Sequence, residues 1–301
     1  MRLALICILV MTLRAAEEPS VDKLLLRVAE EAEAFGRAAT KVIGQEELEV
    51  VALAPQPRFI RRAEPPKPQY RTRRVISEYG FALFPEDQNL HEIRQVLTVD
   101  GKTVRKPGKL RETLAMGMKG EVDRAKKAML KDFERYGLKD SASVDFGQAI
   151  LMFARRQQDN FIFAYLRDEF VGPDQTAVLS YEQKSEGNAA MTVFEGKQVV
   201  RHKFQGLLYV RASDGLPLRL TLDASRKGKD VELTHLASID YQQSPHGFIV
   251  PVSLTYTETV NGQMVSESRA RYTDFKVFGA SSELKFTVQD APPTPPPTKK
   301  K

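Results

Sequence analysis

The chain has 301 residues, 42% hydrophobic and 28% charged, a composition that supports a globular core and excludes a wholly disordered or membrane-embedded chain. Its 45 Lys and Arg against 39 Asp and Glu give a formal net charge of +6. That excess is too mild for the concentrated basic stripe of a nucleic-acid binder, so no nucleic-acid partner is expected.

The chain opens with Arg2, an apolar run over residues 3–13 and the small-residue exit Ala15-Ala16. This pattern predicts a secretory signal peptide over residues 1–16, cleaved near Ala16 and too short to span a bilayer. Arg14 stands where a small residue is preferred for cleavage, so retention as an anchor is the alternative. Cys7, the single cysteine, lies inside this leader, and the remaining chain is expected to hold together without disulfides.

After the N-cap candidate Ser20, apolar residues recur at Val21, Leu24, Leu25, Val28, Ala32, Phe35, Ala39 and Val42, which predicts an amphipathic helix ended by Gly44. The period then changes. Residues 48–53 and 75–83 predict strands, joined by a Pro-rich loop over 55–70, and a third strand over 89–99 ends in the hairpin pair Asp100-Gly101. A helical stretch of about residues 108–157 follows, with Val122, Ala125, Met129, Phe133 and Tyr136 on one face and then Phe146, Ile150, Leu151 and Phe153. From Phe161 the chain reads as strands: 161–170, 176–184, 190–195, 202–212, 216–224, 230–242, 248–259 and 263–278. Ser213-Asp214-Gly215, Pro245-His246-Gly247 and Asn261-Gly262 supply the turns of an antiparallel meander. The Pro- and Lys-rich residues 291–301 are expected to stay unfolded, leaving 17–290 as one α+β domain.

No stretch assembles a catalytic constellation. His91-Glu92 lacks a second histidine four residues on, where Gln95 stands, so the zinc-protease spacing is missing. His235 lies in the apolar register of its strand and is expected to be a core histidine with one hydrogen-bond partner. Gly117-Met118-Lys119-Gly120 lacks the Lys-Ser/Thr ending of a phosphate loop, and no Gly-x-Ser-x-Gly elbow occurs. Adjacent acids such as Glu46-Glu47 and Asp168-Glu169 point to opposite faces of a strand and are expected to be solvated. No metal, cofactor or catalytic residue is therefore assigned, and an enzyme built from scattered residues is the remaining alternative.

The strand, turn, strand unit Gly206-Leu207-Leu208-Tyr209-Val210-Arg211 and Asp214-Gly215-Leu216-Pro217-Leu218-Arg219 resembles that of the periplasmic lipoprotein-carrier (Lol-type) family. Asp240-Tyr241 with Gly247-Phe248-Ile249-Val250-Pro251 resembles the pair that follows it, and residues 95–104 are similar to secreted bacterial proteins that share this sheet. The resemblance spans the order of elements over most of residues 20–288. It implies a long curved antiparallel sheet, a half-barrel, with the N-terminal helix and the helical insertion packed on its concave face. It further implies a non-enzymatic protein of the bacterial envelope, periplasmic or secreted, that binds an apolar ligand such as a lipid or an acylated peptide. The expected lining is Leu218, Leu220, Leu233, Ile239, Val250, Val252 and Leu254, residues that equally suit a solid core. A second reading has the basic cluster of residues 58–74, with Arg58, Arg61, Arg62 and Lys67, and the Pro- and Lys-rich tail of residues 291–301 touching anionic membrane or an envelope partner weakly and without a pocket.

Overall fold

The computed structural model describes residues 20–55, 67–83, 90–116, 119–138, 146–185, 193–195, 198–200, 203–227 and 231–278. The expected leader, Arg58, Arg61, Arg62, His202 and the tail of residues 291–301 lie outside the described residues.

Helix α1 (Val21–Ala39) buries Leu24, Leu25, Val28, Ala32, Phe35 and Ala39, the stripe its apolar spacing predicts. It stops earlier than expected. The chain turns at Thr40 and Lys41, and Val42 opens strand β1 (Val42–Leu53), so Gly44 is a strand residue and not a helix stop. Its missing side chain has another use: a Cβ there would stand 2.8 Å from the Phe275 ring. Ser20 makes no side-chain cap, and its carbonyl accepts the first helical hydrogen bonds from Lys23 and Leu24.

Strand β2 (Tyr70–Leu83) begins before the predicted strand, so Arg71, Arg73 and Arg74 belong to a paired strand and not to the Pro-rich loop. Arg73 reaches Asp100 at 2.5 Å and Arg74 reaches Glu49 at 2.8 Å, while Lys67 is solvent exposed. Strand β3 (Leu90–Val99) follows, and the short β4 (Lys102–Thr103) returns from a tight turn in which Asp100 and Gly101 both have positive φ, 48° and 78°.

The helical region holds α2 (Lys109–Met116), α3 (Lys119–Tyr136), the 3-10 turn η1 (Ala149–Phe153) and α4 (Arg155–Gln158). The strands then run β5 (Phe161–Val171), β6 (Asp174–Gln183), β7 (Val193–Glu195), β8 (Gln198–Val200), β9 (Gln205–Arg211), β10 (Pro217–Lys227), β11 (Glu232–Gln243), β12 (Ile249–Val260) and β13 (Gln263–Val277).

Among the described residues, eleven strands form one open antiparallel sheet in the order β4-β3-β2-β1-β13-β12-β11-β10-β9-β6-β5, and β7 and β8 pair separately. The last strand thus returns to lie beside the first, with Leu48 opposite Ala270 and Glu46 opposite Tyr272. Curvature follows from what α1 touches. It contacts β2, β12 and β5, and β2 and β5 are eight positions apart in the sheet. Laid flat, eight strand spacings would span about 38 Å, more than the length of about 28 Å that nineteen helical residues provide. The sheet therefore wraps around α1 as a half-barrel. Helix α2 lies on the other face, where Leu110 and Leu114 pack with Ile43, Ala82, Ile93 and Phe278. Glu78 receives the amides of Gly108 (2.5 Å) and Leu110 (3.3 Å), satisfying orphan donors at the start of α2.

Candidate ligand-binding face

Strands β10 to β12 build the middle of the concave face by simple alternation. Leu218, Leu220, Leu222 and Ala224 of β10 point inward, and Leu220 lies opposite Ile239, which in turn lies opposite Leu254. Of the seven lining candidates, Leu218, Leu220, Ile239, Val250 and Leu254 are buried, while Leu233 and Val252 are half-buried. Leu218, Leu220, Ile239 and Leu254 share the main core with α1 and η1. Val250 packs elsewhere, with Val42, Phe248 and Phe275 near the end of α1. Val252 is the extra residue of a β-bulge, because Asp240 pairs with Ser253 and Tyr241 with Pro251. The alternation of Val250, Val252 and Leu254 in the sequence thus continues across a break in the ladder.

The concave face is covered by the chain's own helices. Phe35 of α1 meets Phe81 edge to face at 5.2 Å, and Phe153 of η1 sits among Phe161, Phe163 and Tyr181 with ring centroids 4.9–5.6 Å away. Ala149, Ile150 and Met152 complete the buried side of η1. This cover, residues 146–158, is tied by few polar contacts. The Gly147 amide donates to Glu92 Oε1 (2.5 Å), the Ile150 amide donates to the Tyr241 hydroxyl (3.2 Å), the Arg155 amide donates to Glu33 Oε1 (3.4 Å), and Gln158 donates to the Leu25 carbonyl (2.7 Å).

Glu92 belongs to a buried charge network that sequence reasoning misses. Arg94 Nε donates to both oxygens of Glu46, at 2.9 and 2.8 Å, and Arg94 Nη2 donates to Glu92. The Tyr79 hydroxyl donates to Glu92 Oε1 at 2.9 Å, and the Arg94 guanidinium lies 5.3 Å from the Tyr79 ring centroid. The side chains are 4% (Arg94), 1% (Glu46) and 0% (Glu92) exposed, so the expectation that Glu46 is solvated is wrong. Strand parity explains it: Glu46 shares the inward face with Leu48 and Val50, and Glu47 takes the solvent face. Burial opposes the Arg94 charge, but Glu46 and Glu92 outweigh it and hold the guanidinium above its ordinary range. Burial, reinforced by Glu92, pushes the Tyr79 hydroxyl well up, keeping it a neutral donor. Gly147 is what lets the cover approach: a Cβ there would stand 2.2 Å from the Tyr79 hydroxyl and 2.6 Å from Glu92 Oε1.

His235 is buried, with Nδ1 2.7 Å from the Tyr256 hydroxyl and its ring stacked on that tyrosine, the place expected of a core histidine. His91 and His246 lie apart from it in the fold, on β3 and in the turn before β12.

No family model matches the chain, and no curated protein matches it. Among similar solved structures are a LolA superfamily protein from Nitrosomonas europaea (12% identity, 85% of this chain, 94% of that one, TM-score 0.33) and a domain from Vibrio parahaemolyticus described as a candidate outer membrane lipoprotein-sorting protein (14%, 89%, 97%, 0.34). A DUF1329 family protein from Desulfovibrio piger is a third (9%, 84%, 92%, 0.33). Likeness at these levels carries no argument about what this chain binds. No helix among the described residues is long and apolar enough to cross a membrane.

Proposed function

We propose that this chain is a non-enzymatic binding protein of the bacterial cell envelope that takes a lipid or the acyl chain of an acylated peptide between its curved sheet and its helices. The supporting observation is the nature of the cover: an apolar concave face closed by a short segment, residues 146–158, that is joined to it mostly by side-chain packing. Leu218, Leu220, Ile239 and Leu254 form the floor of the trough, and the half-buried Leu233 and Val252 lie toward its margins.

The energetics permit exchange. Exposing Ile150, Met152 and Phe153 costs roughly 1.5–3 kcal/mol each, or about 5–9 kcal/mol together. A twelve-carbon acyl chain gains about 0.8 kcal/mol per buried methylene, roughly 9 kcal/mol in all, so a ligand can compete with the cover for the same surface. Native mass spectrometry of protein purified from the envelope without detergent tests this reading. A co-purified acyl species, and saturable rebinding of lauric acid after its removal, are the expected results. An unliganded mass together with no rebinding would overturn the proposal.

A further inference from the structure

A cavity lies away from the trough floor, at the β3 side of the sheet. It is a cleft of about 380 Å³ between β3, α2 and α3, within the size range of small-molecule sites. Its floor is apolar, from Ile93, Leu110 and Met129, and its walls carry Arg105, Lys109 and Arg124 against one carboxylate, Asp132. That carboxylate is already engaged by Arg105, whose Nη2 donates to it at 3.1 Å. Arg94 also contributes to the wall, but its guanidinium is occupied by Glu46 and Glu92. Counted over its lining side chains, the cleft carries more cations than carboxylates above an oily floor, and Arg124, like Arg94 and Arg105, also has an interaction of its own.

The sequence gives this place further weight. Residues 102–136 hold eleven Lys and Arg against five Asp and Glu, an excess equal to the +6 of the whole chain. The segment that builds the cleft is thus basic in its own right, as is the Pro-rich cluster of residues 58–74. The start of α2 does not account for an anion site by itself, because Glu78 already accepts the amides of Gly108 and Leu110.

We propose that the cleft between β3, α2 and α3 binds the phosphate or carboxylate head of an amphiphile, with Lys109 and Arg124 facing the head and Ile93, Leu110 and Met129 carrying the first methylenes of its stem. The inference stands on the cleft's own geometry and does not require the trough to open. Both cations are exposed, so replacing them leaves the core intact.

The test is isothermal titration of the full chain with hexyl phosphate, hexanoate, inorganic phosphate and hexanol, alongside the Lys109→Ala/Arg124→Ala variant, with thermal melts to verify that the variant folds. Hexyl phosphate and hexanoate bind, more weakly as salt rises. The double variant loses about tenfold to a hundredfold in affinity, as removal of charge-assisted contacts requires. Inorganic phosphate equal to hexyl phosphate, hexanol equal to hexanoate, or an unchanged double variant each overturns the proposal. Methyl and amide chemical shifts locate the ligand. Changes at Ile93, Leu110 and Met129 support the cleft, and changes confined to Leu220, Ile239 and Leu254 overturn it while leaving the trough reading in place.

Discussion

Removing the Arg94 guanidinium would leave Glu46 and Glu92 buried with no cation between them, and a buried pair broken on one side costs about 3–5 kcal/mol. Arg94→Met is therefore expected to unfold at markedly lower denaturant, whereas Glu46→Leu/Glu92→Gln/Arg94→Met, which removes the charges together, recovers much of the loss. Equal destabilisation of the two variants would show that the network matters through shape and not through charge. Gly147→Ala places a methyl against the Tyr79 hydroxyl and Glu92, and such overpacking costs about 1–3 kcal/mol, here chiefly by loosening the cover. Faster amide exchange at residues 147–153, with the strands unchanged, is the expected result. Glu31 on α1 gives a pH prediction. Burial raises its carboxyl above the ordinary 4.5, with Arg27 opposing, so the folded state holds more protons than the unfolded one between 4.5 and the raised value. Stability from this group is present at low pH and falls as pH rises through that window. Glu31→Gln should flatten the decline in melting temperature between pH 4.5 and neutrality, and an unchanged slope would refute the assignment. These residues are legible in the sequence only in part. Glu92 and Arg94 stand in the same parity as Leu90 and Val96, and Glu46 in that of Leu48, an alternation that by itself marks them as inward-facing. Residue type alone argues for solvent, and while Glu92 and Arg94 pair within β3, the second acid that balances the guanidinium, Glu46, comes from β1.

Period and turn chemistry carry the elements further. From Phe161 onward the expected strands lie within a few residues of those observed, except that β8 (Gln198–Val200) falls outside every expected strand, and the hairpin pairs Asp100-Gly101 and Asn261-Gly262 adopt the positive φ that two-residue turns need, 50° and 76° in the second case. Periodicity misplaces the end of α1 because Val42 continues the three- and four-residue spacing by coincidence, although the β-branched pair Val42-Ile43 favours a strand. The bulge at Val252 is invisible in the pattern because apolar residues continue through it. Close approach of neighbouring strands gives an element-scale prediction. A Cβ on Gly206 would lie 2.0 Å from the Thr221 carbonyl oxygen, and the Tyr181 hydroxyl donates to that same oxygen at 2.7 Å. Gly206→Ala is expected to push β9 from β10 and destabilise by at least about 1–3 kcal/mol in urea titration. A neutral effect would mean that the two strands separate easily.

At the scale of the molecule, the resemblance carried by the turn motifs points to a curved sheet with the N-terminal helix and the helical insertion in its hollow; the curved sheet is present with α1 and η1 in the hollow, but α2 of the insertion packs on the other face. The pairing of β13 with β1 is not legible, since more than 210 residues separate partners such as Leu48 and Ala270 and no local pattern encodes the match. Nor can patterning tell an open trough from a filled one, because the same leucines serve both. The structure shows the hollow occupied by α1 and η1, so ligand uptake in this account is displacement of a cover and not entry into an empty cavity. Hydrogen exchange of the full chain with and without a saturating lysophospholipid tests this most directly. The account predicts faster exchange over residues 146–158 and slower exchange over β10 to β12 when ligand is bound. Bound ligand with residues 146–158 unchanged or better protected would contradict it.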